Sequence, residues 1–117
     1  MQNGHVFYVD RKKELIKVKG FQVAPAELED VIRSIPEVTD VAVIGIEHER
    51  DGEVPRAYVV TSSSELSPGQ VENFVAERLS KFKHLKGGVA FVKEIPKSAA
   101  GKILRKDLKA QYLLDGS

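Results

Sequence analysis

The chain predicts a small α+β domain: a mixed or antiparallel sheet with an N-terminal hairpin, flanked by about three helices. Three observations predict it. Runs rich in β-branched and aromatic residues occur at His5–Val9, Glu14–Val18, Val38–Ile46, Arg56–Thr61 and Val89–Val92. Apolar residues recur at helical spacing after Pro25, after Ser67 and from Ile103. Between them stand turn signals such as Lys19-Gly20, Asp51-Gly52 and Gly87-Gly88. The resulting order is β-β-α-β-β-α-β-α, and 117 residues form one domain with one hydrophobic core.

The elements follow in order. His5–Val9 and Glu14–Val18 read as a hairpin broken by Asp10-Arg11-Lys12-Lys13. Phe21-Gln22-Val23 leads into a helix that starts at Pro25, where proline's missing N–H would have had no partner. Glu27, Glu29 and Asp30 lie near the positive end of its dipole, and Leu28, Val31, Ile32 and Ile35 form its apolar face until Pro36 ends it. Val38–Ile46 reads as a central strand with Val41, Val43 and Gly45 on one face. Arg56–Thr61 is its return. Ser67-Pro68-Gly69-Gln70 combines a cap, a first-turn proline and a capping-box glutamine; Val71, Phe74, Val75, Leu79 and Phe82 then form a buried stripe. The last helix spans about Ile103 to Leu113, with Leu104, Leu108 and Tyr112 on one face.

Composition excludes several classes. No run approaches the roughly 20 apolar residues that span a bilayer. With no cysteine, disulfides and thiolate zinc sites are excluded. His5, His48 and His84 have no metal-ligand spacing, and the acids from Glu47 to Glu53 do not fit an EF-hand, so no metal site is expected. The net charge of +1 conceals a polarity: residues 1–77 hold 8 Lys+Arg against 14 Asp+Glu, and residues 78–117 hold 10 against 3. This rear third is either a solvated helix face or a surface that meets anions. No aromatic residues interleave with its cations, so nucleic acid is not an expected partner.

Two clusters invite chemistry. Ala99-Ala100-Gly101-Lys102 lacks the earlier glycine of a phosphate-binding Walker loop, and Ile103 stands where that loop needs Ser or Thr. Small residues nevertheless let a loop approach a ligand, and a lysine at its apex is a mobile point charge suited to stabilising developing negative charge. A plain surface lysine is the competing reading. At the front, Arg11, Lys12, Lys13, Lys17 and Lys19 gather before Gly20. Strand alternation would put Lys13, Lys17 and Lys19 on one face, either as an active surface or as protection of an edge strand.

Two stretches carry a family resemblance. Val9-Asp10-Arg11-Lys12-Lys13-Glu14-Leu15-Ile16-Lys17-Val18-Lys19-Gly20-Phe21-Gln22-Val23-Ala24-Pro25-Ala26-Glu27-Leu28-Glu29 resembles the hinge-and-thioester motif of adenylate-forming enzymes. Ile95-Pro96-Lys97-Ser98-Ala99-Ala100-Gly101-Lys102-Ile103-Leu104-Arg105 resembles their catalytic-lysine motif. The wording is most similar to the branch of 4-coumarate–CoA ligases, acyl-CoA synthetases and luciferases, and the likeness covers the whole chain.

The resemblance implies that residues 1–117 are the mobile C-terminal lid of an ATP-dependent, AMP-forming acid–CoA ligase. It implies a large N-terminal domain outside this sequence as partner, with the acyl pocket, the ATP phosphate loop and most of the magnesium site. The lid alone is expected to be inactive. By residue, the resemblance makes Lys102 the catalytic lysine, Arg11, Lys17 and Gln22 adenylate or ATP contacts, Lys13 the hinge, and Lys19 and Gly20 the wall of the CoA channel. Arg105 and Lys106 would support the anionic ligand or the interdomain contact. ATP and CoA are implied as substrates and no cofactor as permanently bound; a cytoplasmic or peroxisomal location is expected. The alternative is a free-standing binding or regulatory module that keeps the lid fold without catalysis.

Overall fold

The structure is a computed structural model that describes residues 15–115. The expected strand at His5–Val9 lies outside the described residues, as do Arg11 and Lys13. The elements are β1 (Ile16–Val18), β2 (Phe21–Val23), α1 (Pro25–Arg33), β3 (Val38–His48), β4 (Gly52–Thr61), α2 (Pro68–Arg78), a 3₁₀ turn (Lys81–Lys83), β5 (Val89–Phe91) and α3 (Arg105–Asp115).

The strands form one mixed sheet in the order β2-β1-β4-β3, with β5 added parallel to β4 and every other pairing antiparallel. The long β3–β4 hairpin is its spine. Its strands overrun the expected limits at the turn, because His48 Nδ1 accepts from the N–H groups of Arg50 (3.3 Å) and Asp51 (3.2 Å). Gly52 closes that turn at φ +85°.

The sheet is covered on both faces. Val41, Val43, Ala57 and Val59 face α1 and α2 through Leu28, Ile32, Val71 and Val75. Ala42, Ile44, Ile46, Val54 and Tyr58 face α3 through Leu108, with Ile95 beside it. This two-sided burial explains why β3 reads as a continuous apolar run rather than an alternating one. Each large aliphatic side chain removed from water here contributes about 1.5–3 kcal/mol. The capping box forms as the sequence suggests: Ser67 Oγ accepts from the Gln70 N–H at 3.2 Å, and Gln70 Oε1 accepts from the Ser67 N–H at 2.8 Å.

Three expectations change. Phe21–Val23 is a strand, not a lead-in: it pairs with β1 in the register Ile16↔Val23, Lys17↔Gln22, Val18↔Phe21. Lys19 therefore does not share a strand face with Lys17. It lies in a two-residue turn with φ +52°, followed by Gly20 at +86°, the conformation that matches the twist of a tight hairpin. Finally, Phe82 does not ride on α2, which ends at Arg78; it sits in the 3₁₀ turn and stacks on Phe21, ring centroids 4.2 Å apart.

Candidate functional site

The loop carrying Lys102 is a short hairpin without regular strands. Ser98 closes it: its N–H donates to the Lys102 carbonyl at 2.8 Å, and its Oγ accepts from the Lys102 N–H at 3.2 Å. The Gly101 N–H donates to the Ser98 carbonyl at 2.9 Å, with Gly101 at φ +85°. Lys97 and Ile103 form the next bridge, and the Leu104 N–H donates to the Pro96 carbonyl at 2.9 Å. Thus Ala99, Ala100 and Gly101 make the tip, and Lys102 stands exposed on the descending arm, a step below the apex expected from the sequence. The tip is small residues only; its placement comes from its two stems.

Each stem is tied to the body by an ion pair. On the ascending side, Lys97 Nζ lies 2.7 Å from an Asp40 carboxylate oxygen on β3. On the descending side, Arg105 opens α3 and turns inward. Its Nη2 reaches both Glu29 carboxylate oxygens, at 2.8 and 2.7 Å, and its Nε donates to the Val43 carbonyl at 3.1 Å. The Val43 N–H donates to Glu29 Oε2 at 2.9 Å. Glu29 and Arg105 thereby take up both backbone polar groups of Val43 on the side of β3 away from β4, as a neighbouring strand would. The side chains of Glu29 and Arg105 are 4% and 14% exposed. Burial pushes the Glu29 carboxyl above its ordinary value, while the Arg105 charge and the Val43 N–H pull the other way.

This corrects two readings. Glu29 is not merely an acid near a helix start. Arg105, expected to support the anionic ligand or the interdomain contact, turns its guanidinium inward onto Glu29 and Val43. The sequence carried one faint signal, an acid beside Leu28 and Ile32 on the buried side of an amphipathic helix. The other acids of that turn are at the surface: Glu27 pairs with Lys83 and Asp30 with Arg33.

The β1–β2 hairpin organises the second group. Ile16, Val18 and Val23 face the core, so Lys17 and Gln22, direct cross-strand partners, present together on the outer face. Lys19 and Gly20 stand apart at the tip. The Lys19 N–H donates to the Asp51 carbonyl at 2.7 Å, and its Nζ is 3.9 Å from the buried Asp51 carboxylate. That carboxylate also accepts from Lys86 Nζ at 3.0 Å, which holds it below the ordinary aspartate range. The hairpin is thus pinned to the β3–β4 turn.

Lys17 and Lys102 line two adjoining open clefts that share Leu15 and Glu53. The cleft beside Lys102 has a volume of about 520 Å³ and is walled by Ile44, Gly45 and the first turn of α3. Glu53 Oε1 accepts from the Lys17 N–H at 2.9 Å, so this acid, weighed in the sequence only as a cation ligand, lines both the cleft of Lys17 and that of Lys102. The structure brings together Lys17, Gln22 and, one cleft away, Lys102; it leaves Lys19 and Gly20 at the hairpin tip. Among the described residues, no group of three or more His, Asp or Glu side chains is placed to hold a metal ion. No helix among them is long and apolar enough to cross a membrane.

Known proteins resemble this chain in sequence and fold. Residues 27–102 match the family described as the AMP-binding enzyme C-terminal domain. A phenylacetyl-CoA ligase of Aspergillus niger is 53% identical over 104 residues, covering 88% of this chain and 19% of that protein. The 4-coumarate–CoA ligase 1 of Arabidopsis thaliana is 53% identical over 107 residues, covering 91% of this chain and 19% of the ligase. Among solved structures, a fatty acyl CoA synthetase of Mycobacterium tuberculosis superposes with a TM-score of 0.81 at 40% identity, covering 88% of this chain and 20% of its own. The o-succinylbenzoate CoA synthetase of Bacillus subtilis, solved with an acyl-adenylate intermediate, gives 0.77 at 35% identity, covering 83% and 20%. The chain thus spans about one fifth of the length of these relatives. With a matched span covering most of the sequence and a common fold, the chain belongs to the AMP-binding enzyme C-terminal domain family.

Proposed function

We propose that this chain is the lid domain of an AMP-forming acid–CoA ligase and supplies the lysine of its first half-reaction. The observation that carries the reading is Lys102: an exposed ammonium on a loop of small residues closed by Ser98 and tied to the body at both stems. In the first step a substrate carboxylate oxygen attacks the α-phosphorus of ATP, and pyrophosphate leaves with the electrons of the broken P–O bond. Negative charge accumulates on the phosphoryl oxygens, and an ammonium held against them stabilises the transition state without covalent chemistry. Lys17 and Gln22, paired across the hairpin, supply a cation and an amide toward the adenylate.

In the second step a CoA thiol displaces AMP from the acyl-adenylate. The hairpin tip, Lys19 and Gly20, serves this step after a rigid rotation of the lid about Lys13. Arg11 contacts the nucleotide, and the partner is the enzyme's own large domain, which carries the acyl pocket and magnesium. A Cβ at Gly20 would meet nothing within 4 Å inside this domain, so its own packing does not demand glycine; the positive φ does, and so would a passage for pantetheine.

The test is Lys102→Ala in the intact ligase. Pyrophosphate release should fall by roughly 10²–10³-fold, and thioester formation from a supplied acyl-adenylate should fall far less. Unchanged adenylation would reject the assignment.

A further inference from the structure

The geometry points to Glu29 and Arg105 as a pair of positioning residues that set the place of Lys102 for adenylate formation; this rests on the reading of Lys102 proposed above. Arg105 is three residues after Lys102, so the chain between them reaches at most about 10 Å. The connecting residues leave little slack. Ile103 is half-buried against the second core, and Leu104 is tied back to Pro96. The loop tip, Ala99 to Gly101, is exposed and has no bulky side chain to pack against the body. The interior contact of Arg105 is therefore the charged anchor at the foot of the descending stem, next to the packing of Ile103.

That contact is directional. The guanidinium meets both Glu29 oxygens and the Val43 carbonyl, while Glu29 takes the Val43 N–H. Four hydrogen bonds of defined direction locate the first residue of α3 relative to β3. A buried ion pair seldom stabilises more than an apolar pair of equal volume, so its distinctive contribution is geometry. Glu29 also belongs to α1, which follows directly from the Lys17–Gln22 hairpin. One buried pair therefore joins the two motifs across 76 residues of sequence.

The experiment uses the intact ligase with Arg105→Lys, which keeps the charge and loses the fork. Expected is a 10–100-fold fall in kcat for pyrophosphate release, a shift a misplacement of about 1 Å can produce. KM for ATP and acid should change less than about threefold, and thioester formation from a supplied adenylate less than about twofold. In a Lys102→Ala background, Arg105→Lys should have no further effect on adenylation, because it acts through that lysine. A parallel fall in both half-reactions, an additive effect in that background, or no effect would overturn the inference. Should Arg105→Lys fail to fold, the double variant Glu29→Leu/Arg105→Met restores an apolar pair; it should show the same selective loss, and wild-type adenylation would overturn the inference. If Lys102→Ala itself leaves adenylation intact, it is the underlying reading that fails.

Discussion

The Lys17–Gln22 hairpin and the Lys102 loop are held by different means. The hairpin is local: three paired residues on each side, a two-residue turn with both φ angles positive, and a register that makes Lys17 face Gln22. Ties from its tip to Asp51 and from the Lys17 N–H to Glu53 fasten it to the β3–β4 hairpin. The Lys102 loop closes on itself through Ser98, but its placement depends on Asp40 and Glu29, which lie far back in the sequence. The first device is set by backbone pairing and by Ile16, Val18 and Val23, which seat it on the core. The second is set by side chains and is sensitive to single substitutions remote from the loop.

The largest expected effect on stability is at the buried end of the loop. Arg105→Met leaves the Glu29 carboxylate buried without its partner and should destabilise the domain by about 3–5 kcal/mol. Urea unfolding of the domain measures it; a loss under 1 kcal/mol would mean that the loop is as locally determined as the hairpin.

Next comes the hairpin turn. A Cβ at Gly20 meets no neighbouring atom within 4 Å, so the resistance to Gly20→Leu comes from the left-handed backbone, at about 1–2 kcal/mol. Its effect on the intact ligase should be larger in thioester formation, on the order of tenfold, than in adenylation. Equal effects would remove the distinction between the two regions.

Smaller again is Lys97→Ala. The Lys97–Asp40 pair is partly exposed, with side chains 38% and 27% accessible, and should contribute about 0–1 kcal/mol. Equivalence with Arg105→Met in the same unfolding assay would show that the two stems anchor the loop equally.

The smallest effect is a pH dependence at the hairpin tip. The Lys86 hydrogen bond holds the Asp51 carboxyl below its ordinary range. A depressed carboxyl adds stability that is complete above the unfolded value, about 3.9 for aspartate, and is lost as pH falls through the folded value. Asp51→Asn should therefore melt below the wild type at pH 7, and the gap should close in acid. A gap that persists at pH 2 would place the loss in packing rather than charge. Glu29 has the opposite sign: its carboxyl is raised, so its contribution is complete below the ordinary glutamate value and declines as pH climbs through the raised one.

Much of the frame was legible in residue order. Pro25 begins α1, and Ser67 with Gln70 caps α2, because first-turn proline and reciprocal capping act within four residues. Val41, Val43 and Gly45 share a face, because strand alternation is local. The motif around Lys102 was equally visible, although the positive φ of its Gly101 emerges only in the structure. Legibility ended where chain-distant groups meet. Phe21–Val23 was too short to register as a strand until β1 provided its partner. Lys19 fits a strand by alternation and a turn by its neighbour Gly20, and only the pairing of Lys17 with Gln22 decides for the turn.

The sequence by itself determined the order of the elements from α1 onward, the starts of α1 and α2, their apolar faces and the motif that carries Lys102. These depend on periodicity and capping, which span a few residues. Only the tertiary structure decided that Phe21–Val23 closes a hairpin, that Lys19 leaves the lysine face, that Asp51 pins the tip, and that Glu29 and Arg105 meet at Val43. Those pairings join residues up to 76 positions apart. Periodicity says which side chains turn inward, but not which of them meet; that choice belongs to the register and stacking of the folded sheet.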